Sequence, residues 1–322
     1  MECLSLRNGS WETIQEKTIL LKRPIDALVC FTEPATGKRL GILAAHFALS
    51  RLEKSSVTFL HLQEPRDHPF SRGEKASEEK EVETEDEPEI MESDVYQNKV
   101  FTDIVEKAEK NKITVRTFIK HSGDRVHDIL KTSKEQGCNL VLLGIDFQRF
   151  NPALWQKYYR LKNNPTHSES YVFSQFHADE ARVLNDIASL IDRNPVATGL
   201  FMNRGLERAA KIFVPILSAA DVQMLPYVHF RFAQKEGIEL MIWDAIGAIE
   251  SDPRIQKLYQ MIVKKTDGRV MLWDDDLKIE QDFIQQQDLV IMGIDGWGKL
   301  LATALPWTDS LPSTLIIKDN AL

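Results

Sequence analysis

Trp273-Asp274-Asp275-Asp276 is the first stretch whose residue types invite chemistry, because adjacent carboxylates suit Mg²⁺ or Ca²⁺. It also precedes a helical pattern, where acidic residues cap free N–H groups and favour the helix dipole. Capping is the better fit, and no metal is expected. The eight histidines are scattered. His121 and His127 lie six residues apart, which places them on different faces of a helix. His61 closes an apolar run, where a partly buried, hydrogen-bonded imidazole is expected rather than a base. No serine stands in a Gly-x-Ser-x-Gly elbow. The three cysteines, Cys3, Cys30 and Cys138, lack C-x-x-C spacing, and two of them belong in or beside apolar runs as small hydrophobes. These residues assemble no catalytic set, so a non-enzyme is expected.

The elements that would position any site are clear. Asp26 to Phe31, Val57 to Leu62, Ile113 to Ile119 and Leu140 to Leu143 read as buried strands. Helical spacing covers Lys38 to Leu52 and Tyr96 to Lys110, and Ser122-Gly123-Asp124 opens a third helix through its capping side chains. The order then repeats: strands over 211–217, 238–243, 268–273 and 289–292, with helices at 219–235, 250–264 and 277–287. Each half closes on a strand after a proline, Thr198 to Met202 after Pro195 and Thr314 to Ile317 after Pro312. The duplication is written in the residues: Asn139-Leu-Val-Leu-Leu-Gly-Ile-Asp146 is echoed by Asp288-Leu-Val-Ile-Met-Gly-Ile-Asp295. Strands alternating with helices mean βαβ crossovers and parallel sheets covered on both faces. We expect two copies of one α/β unit, each with its own sheet; one continuous sheet, or halves that fail to superimpose, would end that reading.

With 322 residues, 43% hydrophobic and 27% charged, the chain has the composition of a soluble globular protein of two domains. The net charge of −8 is local: Glu74 to Asp94 holds eleven acids and two lysines, leaving the remainder near neutral. The surrounding loop, 71–95, is expected to be solvated and disordered. No basic stripe offers itself to nucleic acid. No apolar stretch reaches 18 residues, so the chain is not expected to span a membrane, and its cysteine usage fits the cytoplasm. A second insertion, 147–179, carries Phe147, Phe150, Trp155, Tyr158, Tyr159 and further aromatics. So many rings predict a packed subdomain or an interface.

Val57-Thr-Phe-Leu-His-Leu-Gln-Glu-Pro65, Ser122-Gly-Asp124 with Ile129-Leu130, and Asn139-Leu-Val-Leu-Leu-Gly144 resemble the universal stress protein family. The resemblance covers residues 23–146 plus 180–205 and residues 206–322, giving a first domain of 23–205 that includes the two insertions and a second of 206–322, after a lead-in linker or helix of 1–22. Ser189 to Met202 followed by Lys211 to Leu217 is similar to the tandem stress-protein region that follows the membrane part of bacterial cation/proton antiporters. The resemblance implies two doubly wound parallel sheets of order 3-2-1-4-5, and in many members an ATP or AMP site beyond strands one and four.

The family's phosphate signature is Gly-x2-Gly-x9-Gly-Ser/Thr, whose glycines let backbone N–H groups approach a phosphate. Gly293-Ile-Asp-Gly296 begins it and Gly298 adds flexibility, but Pro306 and Trp307 stand where Gly and Ser/Thr are expected. The first half has Gly144 and no second glycine. An Asp soon after strand one is also typical, and those places hold Phe31-Thr32 and Leu217-Ser218. Gly293, Gly296, Gly298 and Ser218 are therefore the candidate nucleotide contacts; the competing reading is a turn needing positive φ. The resemblance implies a non-catalytic cytoplasmic regulatory or sensor module of a cation/proton antiporter, with degenerate nucleotide sites, a homodimeric habit and the antiporter's membrane domain as partner. The alternative is a free-standing tandem stress protein that binds, and at most slowly hydrolyses, ATP.

Overall fold

The computed structural model describes residues 24–48, 55–63, 101–102, 113–145, 152–233, 237–273, 279–303 and 305–318. The expected lead-in, the acidic loop, most of the 96–110 helix and Asp274 to Asp276 lie outside them.

The first half runs β1 (Ala27–Phe31), α1 (Pro34–Ala48), β2 (Ser56–Gln63), β3 (Thr114–His121), α2 (Arg125–Glu135) and β4 (Leu140–Ile145). It continues through α3 (Pro152–Lys162), α4 (Glu169–Ser174), α5 (Ala178–Arg193) and β5 (Ala197–Met202). All of β1 and β5 is buried, as continuous apolar strands covered on both faces must be. Helix α1 starts on Pro34, whose missing N–H costs nothing at a first helical position. It buries Leu40, Leu43, Ala44 and Phe47, one face at 3.6-residue spacing. Asp124 caps α2 as expected: its Oδ1 accepts the His127 N–H at 2.9 Å.

The second half repeats the order with β6 (Lys211–Ile216), α6 (Leu225–Val228), β7 (Glu239–Asp244), α7 (Ala248–Ser251), α8 (Pro253–Lys265) and β8 (Val270–Leu272). It ends with α9 (Gln281–Gln285), β9 (Leu289–Gly293), α10 (Ile294–Thr303) and β10 (Ser313–Lys318). The single helix expected over 219–235 is a 3-10 turn (Ala219–Met224), then α6, then a π turn (His229–Ala233). Pro226 brings no N–H to a regular ladder there. The helix expected over 250–264 is broken at Asp252, whose carboxylate caps α8 ahead of Pro253.

The strand order is β3-β2-β1-β4-β5-β10-β9-β6-β7-β8, in one ten-stranded sheet. This corrects the expectation of two separate sheets. The duplication itself persists, because each half keeps the order 3-2-1-4-5 with parallel pairing; the halves join where β5 and β10 run antiparallel, Ile316 opposite Leu200. The reason is the edge. A largely buried fifth strand left at an edge would expose a row of unpaired backbone groups, and the two fifth strands satisfy each other. Gly199 makes the seam fit: a methyl there would come within 2.7 Å of Leu142 Cδ2 and 3.1 Å of Leu315 Cδ1. The fold is α/β, a doubly wound and mostly parallel sheet.

Both faces of the sheet are packed across the seam. On one, Phe232 stacks on His46 at 5.2 Å and meets Phe47 edge-on at 5.4 Å. Arg39 Nη1 donates to the Leu206 carbonyl at 2.5 Å. On the other, the insertion helix α3 lies against α10; Trp155 and Tyr158 are buried, and Gln156 Nε2 donates to the Leu301 carbonyl at 2.5 Å.

Candidate functional site

The carboxyl ends of the strands, where ligands enter open α/β sheets, look different in the two halves. In the second half, β9 runs directly into α10, so Gly296 offers one of the first free N–H groups of the helix. An anion is favoured at such a place by the helix dipole. The anion there is the chain's own: Asp221, only 2% exposed, accepts the Gly296 N–H on Oδ1 at 3.2 Å. Its Oδ2 accepts the Leu217 N–H at 2.9 Å and the Ser218 N–H at 2.8 Å.

The glycines are small for that carboxylate. A methyl on Gly293 would lie 2.3 Å from Asp221 Oδ1, and one on Gly296 would lie 2.3 Å from Oδ2. Neither has a positive φ, so the turn reading is corrected: they sit in a strand end and a helix, and their role is close approach. Gly298 is covered by Tyr159 of the insertion, 3.0 Å from where its methyl would stand. Ser218 is the reciprocal half of a capping box with Asp221, its Oγ accepting the Asp221 N–H at 3.3 Å. Trp307, buried to 3% exposure, meets Phe213 and Trp243 edge-on at 6.4 and 6.3 Å. Burial raises the Asp221 carboxyl above its ordinary value, with the three backbone donors pulling the other way. The structure thus brings Gly293, Gly296 and Ser218 together around an internal carboxylate that fills the cradle expected to hold a phosphate.

Among the described residues, the first half leaves a cavity at the corresponding place. A cavity of about 450 Å³ lies at the ends of β1, β2 and β4, within the ~300–1,000 Å³ of small-molecule sites. Its roof is α2 and α5, through Val126, Ile129, Val183, Ile187 and Leu190. Polar groups converge on it: Arg125 from the first turn of α2, Asp186 from α5, and Thr32 and Glu33 after β1. His61 at the end of β2 is 2% exposed, stacks on Phe31 at 5.1 Å, and places Nε2 3.0 Å from the Thr32 carbonyl. Burial lowers its pKa, which favours the neutral ring, while the Thr32 carbonyl opposes the shift and His121 adds to it. Asp186 shifts upward, chiefly from burial, with Arg182 and Arg125 opposing. Among the described residues, no group of three or more His, Cys, Asp or Glu could hold a metal ion.

No family model matches the chain, and no curated protein matches it. Solved structures do. The chain is similar to the cytoplasmic domain of a prokaryotic cation chloride cotransporter, at 12% identity and TM-score 0.49, over 93% of this chain and 97% of that one. It is also similar to a universal stress protein from Archaeoglobus fulgidus DSM 4304, at 12% identity and TM-score 0.44, over 91% and 96%. A putative universal stress protein from Pseudomonas aeruginosa UCBPP-PA14 matches at 13% identity and TM-score 0.42, over 94% and 95%. No helix among the described residues is long and apolar enough to cross a membrane.

Sequence reasoning inspects the two positions after β6, Leu217 and Ser218, and passes over Asp221. The signal was present as Ser218-Ala-Ala-Asp221, the spacing of a capping box. Arg125 and Asp186 carry no such signal, because helix packing alone brings them to one cavity.

Proposed function

We propose that the chain is a non-catalytic regulatory module that senses a small ligand in its first half, while its second half is locked by an internal anion. Asp221 is the observation that carries this reading. Its carboxylate takes the backbone donors and the space a phosphate needs, so neither binding nor hydrolysis of ATP is expected there. The first-half cavity leaves a place whose occupancy can bias one arrangement of the sheet's flanking helices over another, as differential affinity requires. The similarity of Ser189 to Met202 and Lys211 to Leu217 to the soluble region of cation/proton antiporters supports coupling to such a transporter on its cytoplasmic side. Calorimetric titration with ATP and AMP tests the first statement: the second half contributes no binding, so any heat is insensitive to Lys299→Ala beside Leu217. ATP binding lost with that variant favours the stand-alone ATP-binding alternative. Reading the gene upstream tests the second, where a preceding run of membrane helices is expected.

A further inference from the structure

Matching positions on one face of the sheet differ between the halves. At the ends of the first two strands Phe31 pairs with His61 and Ile216 with Asp244. Thr58 and Leu60 on β2 therefore match Met241 and Trp243 on β7. One strand further out, Thr58 pairs with Arg116 and Met241 with Met271. In the first half this face is covered. Val126 and Ile129 of α2 share an apolar cluster with Leu60, and both Thr58 and Leu60 are fully buried. From the edge strand β3, Arg116 donates to Gln136 at 3.3 Å and Lys120 to Thr132 at 3.1 Å, tying the strand to α2.

The second half has α9 at the same place in the chain order, and its five residues cover less. Ile284 is buried, and Phe283 meets Phe213 of β6 edge-on at 5.4 Å. Met241 and Trp243 stay partly exposed, and Met271 on the edge strand β8 is 42% exposed. Trp273 continues the face, its ring 4.4 Å from Phe283. Methionines thus stand where the first half has a buried threonine and a charged edge. An apolar edge is a liability unless something covers it. The sequence between Trp273 and Ile279 offers one apolar side chain, Leu277, against the Val126, Ile129 and Leu130 that α2 brings to its cluster.

The first copy shows that a helix fits this face, and charge selects which kind. Glu239 and Lys211 stand opposite each other on β7 and β6 and offset one another. Glu280 and Asp282 are exposed at α9, and the sequence leading to them carries Asp274, Asp275 and Asp276 against Lys278. The border is acidic.

We propose that this face binds a basic amphipathic helix of a partner protein. Its apolar side lies across Met241, Trp243 and Met271, and its bases meet Glu280 and Asp282. Helix-in-groove recognition has this form, and methionine suits it because its side chain adapts to what it meets. The proposal stands apart from the ligand-sensing reading of the first-half cavity.

The test uses the full chain and fluorescence anisotropy with three labelled peptides. One is a Leu–Lys amphipathic helix of about five turns. The second is its Leu–Glu counterpart, and the third is a Leu–Lys peptide of the same composition with the apolar spacing scrambled. The first is expected to bind about tenfold more tightly than either other. Met271→Arg, which copies the charged edge of the first half, should weaken it about tenfold. Glu280→Lys combined with Asp282→Lys, both at exposed positions, should do the same. Met261→Arg adds the same charge as Met271→Arg at an exposed position of α8, on the opposite face, and should leave binding unchanged. Circular dichroism establishes that the variants fold. Equal loss in Met261→Arg and Met271→Arg means general attraction to an acidic chain and overturns the proposal. Equal binding of the three peptides, or no binding by the Leu–Lys helix, overturns it too. A concentration-dependent dimer in sedimentation velocity, lost with Met271→Arg, overturns the partner helix in favour of a second copy of the chain.

Discussion

Asp221 illustrates how a single side chain can close a site that sequence motifs leave half open. Three backbone N–H groups converge on it, which in isolation would hold the carboxylate ionised; burial outweighs them and raises its pKa. The fit is tight enough to measure. Gly296→Ala places a methyl 2.3 Å from a carboxylate oxygen, and overpacking of this kind costs about 1–3 kcal/mol. Denaturant titration should show that loss, and combining Gly296→Ala with Asp221→Ser should recover part of it as a positive coupling in a double-mutant cycle. The pH dependence follows from the sign of the shift. A carboxyl whose folded pKa exceeds its unfolded value binds more protons when folded, so its contribution falls as pH rises from the ordinary 3.8 through the folded value. The stability of the native chain relative to Asp221→Asn should therefore decline over the first pH units above 3.8, and a flat difference would contradict the shift. This residue was legible only as a capping box. Its role as an anion needed the third dimension, because Gly296 is 75 residues away.

The elements tell a similar story of copy and divergence. Phe31 to Thr36 and Ile216 to Asp221 are the same five-residue step past the first strand of each half. In the first half the Thr36 methyl group presses on Gly144; in the second the Asp221 carboxylate presses on Gly293. One position thus carries an apolar contact in one copy and a buried anion in the other. The strands and helices α1, α2 and α9 could be read from apolar spacing, whereas α5 (Ala178–Arg193) and α10 (Ile294–Thr303), which border the two sites, were not among the expected elements. The broken helices could not, because Asp252-Pro253 and Pro226 act through capping and a lost donor rather than through hydrophobic period. The insertion's aromatic content predicts packing, and α3 supplies it by lying on α10 with Trp155 2% exposed. Trp155→Ala should cost about 3–5 kcal/mol and lower the denaturation midpoint. If the insertion were a loose appendage, that substitution would leave the midpoint unchanged.

At the scale of the molecule, the unit of stability is the whole sheet rather than either half. The β5–β10 seam pairs five residues of each strand, and Phe232, His46 and Phe47 pack across it on one face. The seam escaped the sequence because each fifth strand reads equally well as a covered edge or as a partner of its copy. Register and Gly199 decide it only once the halves are side by side. Such a structure should unfold in one transition, with calorimetric and van't Hoff enthalpies equal; two separated transitions would mean independent halves. The Asp221 carboxylate is expected to occupy the second-half cradle whether or not nucleotide is present. The most direct measurement is an experimental structure of the intact chain determined in millimolar ATP. The Asp221 carboxylate is expected still to accept from the Gly296, Leu217 and Ser218 N–H groups. Phosphate oxygens on the Gly296 N–H, with Asp221 swung away, would contradict it.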